Sequence, residues 1–453
     1  MTLSSIVSAE PRTLPVLSRL LPWRKNLANA LSRVYTILKA GPSHVEAPCS
    51  SDDEDADDSQ ADDERFWIAA LGPMLDAMLR EGNYPADRRE ELADFLAQYV
   101  APYFGPEPSR DPTTGRLVPA WKSFMTDDFT PLEPSWTWKG GKAQPLVKFS
   151  AEAIPLDSSA GAGVRSALRM MDALAAAQGS HVHFDRDALL QVMDHLTSLV
   201  EPAALPSHGA PGSTALSQVM LGFDLHHGAT HTKAYLIPTL RALETGRSKL
   251  DVITDAVRTC GAGACWEHVL SYLSSQPDAD PFLLAIDCAP FEKARFKAYI
   301  RFPSTDVNRL LEHASLGGRI PLSPKFVKAV RALWDRLSAD SDDAGLYRVA
   351  SQTSGGTPMY FSVERHASLP TPKFYVPIRL LGWNDQRIAE VFGDWMAEYG
   401  NPEAGRNYVQ ALQKLSPGRS LASRRGFHTY IGIVPTANGD IEPSVYLNPS
   451  IFS

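Results

Sequence analysis

Residues 294–302 read Ala294-Arg295-Phe296-Lys297-Ala298-Tyr299-Ile300-Arg301-Phe302. Polar and apolar residues alternate with period two, which is the periodicity of a β-strand. Arg295, Lys297, Tyr299 and Arg301 therefore share one face, and Phe296, Ala298, Ile300 and Phe302 share the other. A strand with three cations and a tyrosine on one side either turns that side to solvent or lines a filled cavity. The same grammar recurs in Thr232-Lys233-Ala234-Tyr235-Leu236-Ile237-Pro238 and in Pro372-Lys373-Phe374-Tyr375-Val376-Pro377. A fourth copy, Phe427-His428-Thr429-Tyr430-Ile431-Gly432-Ile433, puts His428 in the basic position with Arg425 just upstream. One such strand reads as an exposed edge whose lysines resist aggregation. Four in one register favour a shared interior of ammonium, guanidinium and phenol groups, suited to a polyanion that also generates a cation.

Working outward, strands and helices alternate in blocks. Helical spacing runs from Phe66 to Leu79 and from Arg88 to Tyr99, then a hairpin is expected from Leu132-Glu133-Pro134-Ser135-Trp136-Thr137-Trp138 across Gly140-Gly141 to Leu146-Val147-Lys148-Phe149-Ser150. Helices over 164–177 and 186–200 precede a hairpin over 216–238, and helix over 250–273 precedes one over 281–302. Helix over 307–337 precedes a hairpin over 359–378, and two helices within 385–415 precede the last, over 426–447, which turns at Asn438-Gly439. Five hairpins separated by helix pairs admit few architectures, because a parallel α/β sheet needs one crossover helix per strand. The expected fold is α+β: a ten-stranded antiparallel β-barrel of five αββα repeats with the helices outside and a lumen wide enough for a ligand.

The chain has 453 residues and a net charge of -8. That balance argues against a nucleic-acid partner, which calls for a basic surface. No apolar run reaches the roughly 20 residues of a membrane span, and Arg12, Arg19, Arg24 and Lys25 interrupt any secretory signal. Cys49, Cys260, Cys265 and Cys288 lack zinc spacing and read as free thiols of a reducing compartment. A cytoplasmic protein without membrane or nucleic-acid partners is expected; its oligomeric state stays open, with a homodimer admitted. Residues 1–64 read as a disordered extension with an acidic linker from Ser50 to Glu64, and residues 65–453 as the barrel domain. Asp52-Asp53 lacks the third carboxylate of a magnesium motif. Asp224, His226, His227 and His231 straddle a hairpin turn and read as a solvated loop rather than a metal site. Gly261-Ala262-Gly263 reads as a helix break, not a dinucleotide fingerprint.

The residues resemble the fungal dimethylallyltryptophan synthase type of aromatic prenyltransferase over about residues 66–453. The resemblance rests on Trp67, Tyr84 and Tyr103-Phe104-Gly105-Pro106, on Leu132 to Trp138, and on Lys233 to Pro238. It continues through Ala294 to Tyr299, Lys373 to Pro377 and Arg425 to Tyr430. It implies the αββα barrel and a metal-independent transfer of a dimethylallyl group from its diphosphate, the co-substrate, to an indole in secondary metabolism. By the same resemblance Lys148, Lys233, Arg295, Lys297, Lys373 and Arg425 bind the diphosphate. Tyr235, Tyr299, Tyr375 and Tyr430 shield the carbocation, and Glu133 accepts the indole N–H; no cofactor or metal is implied. Lys148 stands where relatives usually carry arginine and Lys373 where they often carry glutamine. Pro134, which cannot donate to a ladder, suggests a bulged or edge strand. Two other readings stay open, a phenolic acceptor and a non-catalytic barrel that binds prenyl phosphates.

Overall fold

The computed structural model describes residues 55–155, 161–177, 181–200, 217–338, 356–415 and 420–453, together with 157, 159 and 418. Ten strands carry the architecture: β1 (Leu132–Thr137), β2 (Leu146–Ala151), β3 (Val219–Leu225), β4 (Thr230–Leu236), β5 (Asp280–Asp287), β6 (Arg295–Phe302), β7 (Thr357–Glu364), β8 (Thr371–Val376), β9 (His428–Pro435) and β10 (Ile441–Leu447). They pair antiparallel in the order β4-β3-β2-β1-β10-β9-β8-β7-β6-β5, and β5 pairs back onto β4. The sheet is a closed ten-stranded barrel, and closure leaves it without free edges. Consecutive strands form the five expected hairpins. The short segment Val182–His183 adds parallel to the start of β4.

Helices cover the outside: α1 (Asp55–Glu81), α2 (Ala86–Tyr99), α3 (Ala162–Ala176), α4 (Arg186–Leu196), α5 (Thr239–Thr245), α6 (Lys249–Thr259), α7 (Gly263–Leu273), α8 (Val307–Ala314), α9 (Pro324–Ser338), α10 (Asp385–Tyr399) and α11 (Pro402–Lys414). Their starts follow side-chain capping where the sequence offers it: Asp185, Ser248, Asp306, Asn384 and Asn401 each accept from a backbone N–H of the first turn. Gly261, at φ +80°, separates α6 from α7, so that glycine run is the helix break expected of it. The acidic run read as a linker differs from expectation from Asp55 on, because Asp55 to Glu64 forms the first turns of α1. Residues 1–54 lie outside the described residues. Among the described residues, no helix is long and apolar enough to cross a membrane.

Apolar strand faces and helices together make one core outside the barrel wall. Phe296, Ala298, Ile300 and Phe302 of β6 are all buried there, so the strand's apolar face looks outward and its cationic face inward. Phe302 stacks on His313 of α8 at 4.0 Å, and His313 in turn hydrogen-bonds the Tyr272 hydroxyl of α7 at 2.8 Å. Phe302→Ala is expected to lower unfolding stability by about 3–5 kcal/mol, measured as a shift in denaturant midpoint, because it opens a cavity in a rigid wall.

Candidate active site

At one end of the lumen, five basic side chains from four strands gather around two carboxylates. Lys148 of β2 and Lys233 of β4 both pair with Asp224 of β3, Lys148 at 3.8 Å. Arg295 and Lys297 of β6 pair with Asp287 of β5 at 2.6 and 2.7 Å. The strand register explains the grouping, since Lys148 and Lys233 lie beside Asp224 and Gly222 on β3, and Lys233 lies opposite Asp287 on β5. Lys373 of β8 donates to Ser444 at 3.0 Å and to the Tyr446 hydroxyl at 2.8 Å, both on β10. Five basic side chains thus face two carboxylates, an excess of three positive charges when all are ionised.

Confinement of these cations shifts their protonation. Burial pushes the Lys148 ammonium down to about 7, and the attraction of Asp224 only partly offsets it. Burial likewise brings Lys297 down to about 8 despite Asp287. Lys373 falls well below the usual lysine range, through burial and then the neighbouring Lys148, Lys233 and Lys297. Lys233 is the exception: burial opposes its charge, but Asp224, Tyr235 and Asp287 outweigh that and raise it. Asp224 and Asp287 are held below the carboxylate range, burial being overcome by the lysines around them. Without an anionic ligand this end holds more positive charge than it can easily keep.

Above the lysines the lumen narrows to phenol rings. Tyr299 packs against Tyr235, Tyr360 and Tyr375 at centroid distances of 6.3, 5.2 and 6.0 Å. Tyr375 continues the set to Tyr446 at 5.6 Å and Tyr430 at 6.0 Å. The Lys373 ammonium lies 4.9 and 5.0 Å from the ring centres of Tyr375 and Tyr446. Tilted and edge-to-face rings of this kind leave π faces for a cation. Close packing here needs residues without side chains: a Cβ on Gly432 would run into Lys373, and one on Gly222 would come within 2.6 Å of the Tyr235 ring.

Beyond the rings lies Glu133 of β1, whose carboxylate accepts from the Thr429 hydroxyl at 2.8 Å. Burial raises its pKa to about 8, opposed by the Thr429 bond and by the charge of Arg379. Met220, Ile237, Leu283 and Ala285 form a small apolar cluster inside the barrel, joined by Phe124, Met125 and Phe282. Phe124 and Met125 belong to a segment that the buried Glu152 pins: its carboxylate accepts from Trp121 Nε1 at 3.2 Å, Ser123 Oγ at 2.7 Å and Phe124 N at 3.0 Å.

A sequence profile of the tryptophan dimethylallyltransferase family matches residues 63–411. The chain belongs to that family. Among curated relatives, the 4-O-dimethylallyl-L-tyrosine synthase of Claviceps purpurea is 28% identical, the match covering 85% of this chain and 88% of that one. A 7-dimethylallyltryptophan synthase of Aspergillus fumigatus is 27% identical, over 86% and 85%. Xanthone prenyltransferase A of Emericella nidulans is 27% identical, over 84% and 91%. Among solved structures, NotF in complex with brevianamide F and DMSPP superposes with a TM-score of 0.71 at 20% identity, over 85% of this chain and 95% of that one. AnaPT from Neosartorya fischeri gives 0.71 at 19%, over 83% and 92%. The αββα barrel is the family fold, and the chain is an aromatic prenyltransferase whose co-substrate is a prenyl diphosphate.

In this prenyltransferase the structure gathers Lys148, Lys233, Arg295, Lys297 and Lys373 at one end, the four expected tyrosines in the middle, and Glu133 beyond them. Four expectations are corrected. Arg425 is exposed in the turn that leads into β9 at the Glu133 end, so it does not join the lysines. His428 is not the basic member of its strand. A register shift between His428 and Tyr430 turns His428 outward, where its Nδ1 lies 2.7 Å from Asp385 Oδ1 and its Nε2 lies 2.9 Å from the Tyr408 hydroxyl. Asp224, read as part of a solvated loop, is buried in the lumen. Pro134 keeps regular register with β2 and sits one residue past the last pairing with β10, so it removes no ladder bond there.

Sequence reasoning missed Tyr360, Tyr446, Asp287 and Arg379. Tyr360 and Tyr446 alternate with buried apolar neighbours, and counting parity from Tyr299 and Tyr430 across the hairpins would have found both. Asp385 fixes the entry to β9, accepting from Phe427 N at 3.2 Å and His428 N at 3.0 Å besides the imidazole. Asp385→Ala leaves those buried groups unpaired and is expected to cost about 3 kcal/mol of stability. Because Thr429 follows directly, kcat is expected to fall as well, and Thr429→Val separates the two effects in a thermal melt run beside the assay.

Proposed function

We propose that the protein transfers a dimethylallyl group from dimethylallyl diphosphate to an indole-containing acceptor, without a metal ion. Five basic side chains collected at one end of a tyrosine-lined lumen, with a buried carboxylate beyond, are the observation that carries this reading. The allylic C–O bond breaks heterolytically, and diphosphate leaves with the electron pair. Lys148, Lys233, Arg295, Lys297 and Lys373 supply charge-assisted hydrogen bonds to that leaving group from fixed positions. Asp224 and Asp287 hold the cations apart in place until it arrives. Tyr235, Tyr299, Tyr375 and Tyr430, with Tyr360 and Tyr446, stabilise the allyl cation and keep water from it. Glu133 accepts a hydrogen bond from the indole N–H, so the ring is more electron-rich when it attacks; a new bond to the allylic carbon forms and the ring then loses a proton.

A phenolic acceptor is the second reading, favoured by the tyrosine synthase among the relatives and by a Glu133 pKa close enough to a phenol's for proton transfer. Residues 65–453 are the catalytic unit in either case. The deciding experiment follows diphosphate release from dimethylallyl diphosphate in EDTA across indole and phenolic acceptors, with products weighed by mass spectrometry. Acceptor-dependent release with gain of one dimethylallyl unit is expected. Tight binding of the diphosphate without release would make the protein a binder, and release restored only by magnesium would remove the metal-independent reading.

A further inference from the structure

Arg379 sits on the short turn Ile378–Leu381 that follows β8, at the Glu133 end of the lumen. Its side chain is 13% exposed, and its guanidinium carbon lies 4.4 Å from the centre of the Tyr430 ring. Nε lies 2.6 Å from Asp127 Oδ2, but that carboxylate belongs to a side chain 61% exposed. The approach is not directed as a hydrogen bond, and both Nε and Nη1 are buried without a hydrogen-bond partner. A guanidinium carries five N–H donors in a rigid fork, and buried donors are rarely left unmade. Arg301 of β6 lies close enough for the two guanidinium charges to repel, and Asp280 holds it at 3.3 Å. Its guanidinium stacks 3.6 Å over the Phe282 ring. This end of the lumen therefore keeps an oriented, incompletely used cation beside the apolar cluster and the carboxylate that would meet an aromatic acceptor.

We infer that Arg379 binds an anionic group of the acceptor, and that the acceptor is an aromatic amino acid or other aromatic carboxylate rather than a neutral molecule. The fork of Arg379 matches the two oxygens of a carboxylate, and the Tyr430 ring, 4.4 Å from its guanidinium carbon, restricts where that fork can sit. Tyr430 is also a neighbour of Tyr375 in the ring cage, so a molecule anchored on Arg379 reaches the cage with its ring. Glu133, held by Thr429 one residue before Tyr430, then faces the N–H or O–H of that ring. The competing account is that Arg379 only supports the charge of Glu133. That account gives the guanidinium no role in choosing between acceptors.

The inference rests on the transferase reading, and the test keeps the two apart. Tyrosine is compared with tyramine, and tryptophan with tryptamine, each pair differing only in the carboxylate. Wild-type kcat/KM is expected to favour the carboxylate member of the productive pair roughly 10- to 150-fold, mainly through KM, the range of one charge-assisted hydrogen bond. Arg379→Met is expected to bring that ratio close to one, and Arg379→Lys to restore part of it. A variant that slows both members equally and leaves the ratio unchanged overturns the inference in favour of the Glu133-supporting account. Wild-type enzyme indifferent to the carboxylate overturns it without any variant, should Arg379→Met not fold. Prenylation of neutral acceptors alone also overturns it and leaves the transferase reading standing, whereas no diphosphate release with any acceptor removes both.

Discussion

Glu133→Ala is expected to lower kcat by roughly 10²- to 10⁴-fold, the range for removing a group that manages a proton at the reacting centre. The affinity for the prenyl diphosphate, measured separately by titration, is expected to stay unchanged, because the lysines that meet it are at the other end of the barrel. The pH profile has a definite sign. Burial lifts the Glu133 pKa to about 8, so at neutral pH much of the free enzyme carries a protonated carboxyl in place of the stronger acceptor, the carboxylate. Because the protonated carboxyl is a weak acceptor and cannot take up the donor's proton, kcat/KM for the acceptor at saturating diphosphate is expected to rise with pH up to about 8 and then level off. Glu133→Gln should abolish that rise even if some turnover persists. Unchanged turnover in Glu133→Ala would take the proton-accepting role away from this residue.

Lys233→Met is expected to lower kcat/KM for the diphosphate by about 10²- to 10³-fold, comparable to deleting a preorganised donor to developing negative charge. Removing this cation also leaves Asp224 with Lys148 alone. A linked effect follows from the two lysines whose pKa values lie near neutrality, Lys148 at about 7 and Lys297 at about 8. A bound diphosphate favours their charged forms, so binding takes up protons above pH 7. Affinity is strongest where both are already protonated and weakens as pH rises through 7 to 8. Calorimetric titration in buffers of different ionisation enthalpy measures the uptake. Binding with no proton uptake at pH 8 would show that the lysines stay charged in the empty lumen.

The two profiles run in opposite directions because the same barrel buries opposite charges at its two ends. Desolvation disfavours a carboxylate near Glu133 and disfavours ammonium groups near Lys148 and Lys297. On the proposed function, each end is brought to its charged form by what it binds: a hydrogen-bond donor at one, a polyanion at the other. That arrangement ties the productive protonation state to the presence of both substrates.

Alternation in residues 294–302 and its three echoes was enough to indicate closed strands with a polar interior, since side-chain parity in a strand is local and survives any tertiary context. The lumen residues Lys233, Lys297, Tyr235, Tyr299, Lys373 and Tyr375 and the outward face of β6 followed from that parity, and the hairpin count from the turns and helical blocks between the strands. Parity failed where the backbone broke it. The register shift at His428 moved that side chain from the lumen to Asp385 and Tyr408, and no local feature of Phe427-His428-Thr429 announces a shift. Exposure and partnership were also out of reach. Asp224 and Asp287 become counterions only because strands from different hairpins bring them to the lysines. Arg379 keeps two buried nitrogens without hydrogen bonds only in the setting made by Tyr430 and Asp127, which meet it from distant parts of the chain. Hairpin pairing and side-chain parity within a strand are properties of neighbouring residues, so the sequence by itself determined them everywhere but at the His428 shift. Charge balance, burial and the pKa values that set the chemistry depend on residues far apart in the chain, and only the closed barrel decided those.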